Sequence, residues 1–88
     1  MKVSELNDIL QSKKVPEHWY AINGLKEDAV CIVKSGIFHQ NWEVFYVERG
    51  KKYEVFVTST ENEACEYFLE RIIDTWERYK KRKETQND

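Results

Sequence analysis

Residues 41–57 read NWEVFYVERGKKYEVFV, two runs of aromatic and β-branched residues joined by a charged turn that contains Gly50. A hairpin with one wet face alternates between apolar and polar residues. Here Trp42, Val44 and Tyr46 share one parity, yet Phe45 and Val47 occupy the other. If the turn centres on Arg49-Gly50 or Gly50-Lys51, the first set lies beside Tyr53, Val55 and Val57. That is the larger apolar set, and it is expected under a helix. The opposite face then carries Phe45, Val47 and Phe56 among Glu43, Arg49, Lys52, Glu54 and Thr58. A three-residue turn with a bulge at Gly50 would mix the two sets; the first register is preferred because it gathers more apolar surface on one side.

The strongest helix signal follows directly. Thr60-Glu61-Asn62-Glu63 fits a capping box, in which hydroxyl and carboxylate satisfy each other's free backbone N–H groups. Ala64, Phe68, Ile72 and Trp76 then recur every four residues, and Cys65, Leu69 and Ile73 run one position on. The spacing predicts one amphipathic helix over about 61–82. At the other end, Ser4 as N-cap and the spacing of Val3, Leu6, Ile9 and Leu10 predict a short helix over about 4–13, ending before Pro16. Strands are expected at 18–22 and 29–33, with turn chemistry at Asn23-Gly24 and Ser35-Gly36, and then at 41–48 and 52–58. The fold class is α+β in the order α-β-β-β-β-α, a four-stranded antiparallel meander with the long helix packed on it. No linker or repeat interrupts residues 1–88, which are read as a single domain.

Composition bounds the function. Of the 88 residues, 41% are hydrophobic and 14% aromatic, which argues against disorder despite 34% charged residues. MKVSELNDIL contains no apolar run of signal-peptide length, and no stretch approaches the ~18 apolar residues of a membrane span. A cytoplasmic protein is expected. Cys31 and Cys65 are too few for a disulfide framework and sit among apolar neighbours, as buried thiols do, although spacing alone leaves a bridge open.

Catalytic chemistry is not apparent. A nucleophile needs an oriented base beside it, and neither His18 nor His39 carries a recognisable signature. A metal would require Cys31, Cys65, His18 and His39 to converge without paired spacing. Glu43, Glu48 and Glu54 read as charges on an exposed strand face rather than a catalytic pair. Gly24, Gly36 and Gly50 are isolated turn residues, not a phosphate-binding loop. No enzyme activity, metal or cofactor is expected.

Charge is segregated rather than extreme. Residues 1–60 balance eight bases with eight acids, 61–77 sum to −5, 78–83 (RYKKRK) to +5, and Glu84 with Asp88 return the total to −2. RYKKRK could bind phosphates, as a small nucleic-acid-binding or regulatory protein would, which is the alternative function. Acids at a helix start and bases at its end also complement the macrodipole, with Asp74–Arg78 and Glu77–Lys81 as pairs. On a net acidic chain the second account is favoured, and nucleic acid is not expected as the main partner.

That leaves surfaces. Phe45, Val47 and Phe56, rimmed by Glu43, Arg49 and Glu54, are either covered by Leu6 and Leu10 of the first helix or form the centre of a protein-binding patch. An outer strand edge offers a second way to take a partner.

Three segments, HWY (18–20), WEVFYVERGKK (42–52) and STENEACEYFLERI (59–72), resemble the small immunity proteins of bacterial polymorphic toxin systems, in particular the short α+β members. The resemblance spans roughly residues 18–72 and leaves out the first helix and the RYKKRK end. It implies a cytoplasmic, non-enzymatic protein that binds and neutralises a cognate toxin domain. It carries no functional residues over, so the patch above stands on physical grounds alone.

Overall fold

The computed structural model describes residues 1–38 and 40–86, with side chains through Lys83; His39, Asp88 and the side chain of Glu84 fall outside the described residues. Helix α1 (Val3–Ser12) is followed by one 3-10 turn (Glu17–Trp19), strands β1 (Tyr20–Ile22), β2 (Ala29–Ser35), β3 (Asn41–Glu48) and β4 (Lys51–Thr58), and helix α2 (Glu61–Gln86). The strands form one sheet in the order β1-β2-β3-β4.

The class is α+β as the sequence implies, but the sheet is not a meander throughout. β1 runs parallel to β2, with Tyr20 beside Val30 and Ile22 beside Ile32, while β2–β3 and β3–β4 are antiparallel. Asn23-Gly24 therefore does not close a hairpin. Residues 23–28 instead carry the chain back along the sheet, anchored by Asn23 N–H on the Ile32 carbonyl (2.9 Å) and Asp28 N–H on the Val47 carbonyl (2.7 Å).

The β3–β4 hairpin holds the second correction. Glu48 pairs with Lys51 across a two-residue Arg49-Gly50 turn, and both turn residues have positive φ (52° and 75°), as a type I′ turn requires. Further along, Tyr46 faces Tyr53 but Val44 faces Phe56. Glu54 and Val55 together oppose Phe45, a β-bulge with Glu54 at φ 52°. The extra residue exchanges the faces beyond it. Phe56 turns inward and stacks on Tyr67 of α2 (centroids 4.2 Å apart, planes 13°), while Val55 and Val57 turn outward, 47% and 54% exposed.

Both helices cover the same, inner face. Leu6 and Leu10 of α1 join Phe68 and Ile72 of α2, Ile32 and Val44 in one buried cluster. The first helix thus does not cover the outer face. α1 begins at Val3 rather than after Ser4, and its cap comes from α2: the Val3 N–H donates to Glu61 Oε2 (2.8 Å). It ends in a Schellman arrangement before Pro16 is reached. Lys14 takes φ 61°, its N–H donates to the Gln11 carbonyl, and the Val15 N–H to that of Leu10.

The start of α2 follows its predicted cap with one change. The Glu63 N–H donates to Thr60 Oγ1 (3.3 Å), but the return arm runs through Thr58. Thr60 N–H donates to Thr58 Oγ1 (3.3 Å), which donates to Glu63 Oε2 (2.7 Å). Asp74–Arg78 is an ion pair (2.6 Å), as expected, and Glu77 reaches Lys80 (3.6 Å).

Candidate functional site

The outer face of the sheet is built by the odd-numbered residues of β2 and β3 together with Val55 and Val57 of β4. Cys31, Phe45 and Val47 form a second buried cluster there, flanked by Ala21 and Val33. Two things cover it. The 23–28 connection brings the Lys26 carbonyl against Cys31 Sγ (3.8 Å), and Glu27 fastens the connection to the hairpin by accepting the Gly50 N–H (3.1 Å). Lys52 lays its ammonium over the Phe45 ring, 4.5 Å from the centroid, and also reaches Glu43 (3.7 Å).

The six residues read from the sequence as one patch therefore separate. Phe45 and Val47 are buried, Glu43 is half-buried against Lys52, and Arg49 is exposed in the turn. Phe56 lies on the inner face. Glu54 is exposed but bound to α2, where Arg71 donates to its carboxylate (2.8 Å) and to its backbone carbonyl (3.2 Å). Bare apolar surface on this side passes to Val55 and Val57, which the sequence placed beneath the helix. Ile37 and Phe38, 93% and 92% exposed, stand in the β2–β3 loop at the end of the sheet where Val57 lies. Their signal was readable: two large apolar residues between Gly36 and His39, in a segment with no periodicity of its own.

β4 is also an outer strand, so one of its edges is unpaired. Lys51, Lys52 and the Glu54 bulge blunt its first half, while Val55–Thr58 continue without a charge. No known family model, curated protein or solved structure matches this chain.

Concavities open on the helical side, including one of about 510 Å³ lined by Glu54, Tyr67, Glu70, Arg71, Asp74 and Thr75. Another, of about 360 Å³, is lined by His18, Asp28, Tyr46, Glu54, Arg71 and Thr75 among others. Within it Arg71 holds Glu54, and the Thr75 hydroxyl donates to the Arg71 carbonyl (2.9 Å). Burial, with Asp28 nearby, holds the Tyr46 phenol above its ordinary value. A further one, of about 800 Å³, is lined by Val3, Asn7, Tyr20, Lys34, Trp42 and Glu61 among others. The Tyr20 hydroxyl is buried without a hydrogen-bond partner among the described residues.

The cysteines lie on opposite faces, Cys31 in the outer cluster and Cys65 in the inner one, both as free thiols. Burial, reinforced by the Glu61 carboxylate, pushes the Cys65 thiol up to about 11, and burial also raises Cys31. Neither is a thiolate near neutral pH. Among the described residues no three His, Cys, Asp or Glu side chains converge as metal ligands, and no helix is long and apolar enough to cross a membrane.

Proposed function

We propose that this chain is a non-enzymatic inhibitory binding protein of the immunity class, which neutralises a cognate toxin domain in the bacterial cytoplasm by covering it. The observation that carries the binding role is the pair Val55 and Val57: apolar, about half exposed, and side by side on an edge strand whose outward face neither helix covers. Apolar residues on an unpaired edge cost solubility and invite another chain to complete the sheet. Ile37 and Phe38 extend the apolar surface at that end of the sheet, and Glu43, Lys52 and Arg49 supply a polar rim. The toxin assignment rests on the resemblance of residues 18–20, 42–52 and 59–72.

The test is co-purification with the product of the gene immediately upstream, and co-expression of the two. A stable complex with relief of toxicity is expected, and Val55→Asp with Val57→Asp should abolish both while leaving the far-UV circular dichroism unchanged. Absence of a complex, together with full toxicity on co-expression, overturns the reading.

A further inference from the structure

The last turns of α2 do not behave like the rest of that helix. Among its described side chains, Ile72 is the last buried one and Trp76 the last half-buried one. Every residue from Glu77 to Lys83 is exposed, yet the helix continues to Gln86. At 1.5 Å per residue, this is a projection of roughly 15 Å. Its described side chains, Glu77 to Lys83, are exposed, with Tyr79 resting on the rings below, and a helix this short is marginal by itself, so packing within the fold accounts for little of it.

Its chemistry is one-sided. Arg78, Lys80, Lys81, Arg82 and Lys83 fill five of six consecutive positions on a 100° screw, so cationic groups are spread around the helix. Asp74 and Glu77 offset part of this through Arg78 and Lys80, and residues 74–83 still carry five bases against two acids, a net +3. The chain's total of −2 hides this because the acids lie towards the start of the helix.

Aromatic rings stand at the base of the projection. Trp19, Trp76 and Tyr79 touch one another, with centroids 5.2–5.6 Å apart. Tyr79 stacks on Trp76 with planes at 14° and remains 42% exposed, and the Lys83 ammonium lies 5.6 Å from its centroid. Lys80 is placed similarly over Trp76, at 5.6 Å. A cation held over an exposed ring is replaceable by a nucleobase, after which the same cation meets the adjoining phosphate. Bases stacked on aromatic rings beside a cationic track are how proteins hold single strands without reading sequence.

We infer that the C-terminal projection of α2 binds single-stranded nucleic acid, with Arg78, Lys80, Arg82 and Lys83 on phosphates and Tyr79 under a base. This surface lies on the helical side of the sheet and uses none of the residues proposed to meet a protein partner. It therefore stands or falls independently of that reading.

The test uses the purified full chain and a fluorescently labelled oligouridylate of about 16 nucleotides. Binding at 50 mM salt is expected to weaken by about 50-fold at 200 mM, as roughly four phosphate contacts on a single strand imply. Replacing Arg78, Lys80, Lys81, Arg82 and Lys83 together by Gln keeps helix propensity and should lower affinity at least tenfold at 50 mM with unchanged melting. Tyr79→Leu, which keeps an apolar contact with Trp19 and Trp76, should weaken binding while preserving its salt slope. Absence of binding at 50 mM, or binding indifferent to salt and to the Gln variant, overturns the inference. So does equal affinity for a duplex of the same length, or binding only to vesicles containing anionic lipid.

Discussion

Among the described residues, the non-glycine residues Lys14, Asn23, Asp28, Arg49 and Glu54 hold left-handed backbone conformations. Asn and Asp tolerate that region; lysine, arginine and glutamate occupy it at a cost of about 1 kcal/mol. Arg49 sits first in a type I′ turn, where asparagine is preferred, so Arg49→Asn should raise stability by about 0.5–1 kcal/mol in urea unfolding. Gly50→Ala should lower it by about 1 kcal/mol. No atom lies within 4 Å of an added Cβ there, so that loss would report the +75° φ rather than crowding. The Cys65 thiol gives a pH signature. Unfolded, it loses its proton near 9.0, but in the fold it keeps it until about 11. Stability is therefore full below pH 9 and falls as pH rises through that window. Cys31, Tyr20 and Tyr46 shift the same way, so Cys65→Ala should flatten the fall between pH 9 and 11 without abolishing it.

The two helices are coupled at their ends rather than only through their faces. Glu61 opens α2 and caps α1 through the Val3 N–H, while Trp76 Nε1 donates to the Lys13 carbonyl (3.1 Å) where α1 stops. Glu61→Ala should cost about 1 kcal/mol and raise amide exchange in the first turn of α1 ahead of the sheet. Arg71→Ala should cost more than Glu54→Ala, because Arg71 is largely buried (16% exposed side chain against 76%) and also serves the bulge carbonyl. These elements also show what sequence can reveal. The helical stripe from Ala64 to Trp76, the turn at Arg49-Gly50 and the strand order are local patterns, and all are present. The bulge is not local: nothing marks Glu54 as left-handed, and its support, Arg71, lies 17 residues away. Missing that one inserted residue exchanged Phe56 with Val55 and Val57, and with them the exposed part of the candidate site. The parallel β1–β2 pairing escaped for a similar reason, since Asn23-Gly24 has the composition of a tight turn but serves a six-residue return.

At the scale of the molecule, one sheet separates two unequal cores, and the longest dimension of 54 Å reflects α2 running past both. Truncation after Lys80 keeps the Trp19–Trp76–Tyr79 contacts and should leave the melting temperature within about 3 °C of the full chain, because Lys81, Arg82 and Lys83 are exposed. The same ring cluster is a natural optical gauge. Trp19 and Trp76 meet nearly perpendicular at 5.2 Å and arrive from opposite ends of the chain, whereas Trp42 stands apart beside Lys34. Indole transitions coupled at that distance give an exciton couplet in circular dichroism, with a contribution from Tyr79. Loss of the couplet would time the docking of α2 against the 3-10 turn, and Trp42 emission would time closure of the sheet, so two stages of folding can be followed without attaching a label.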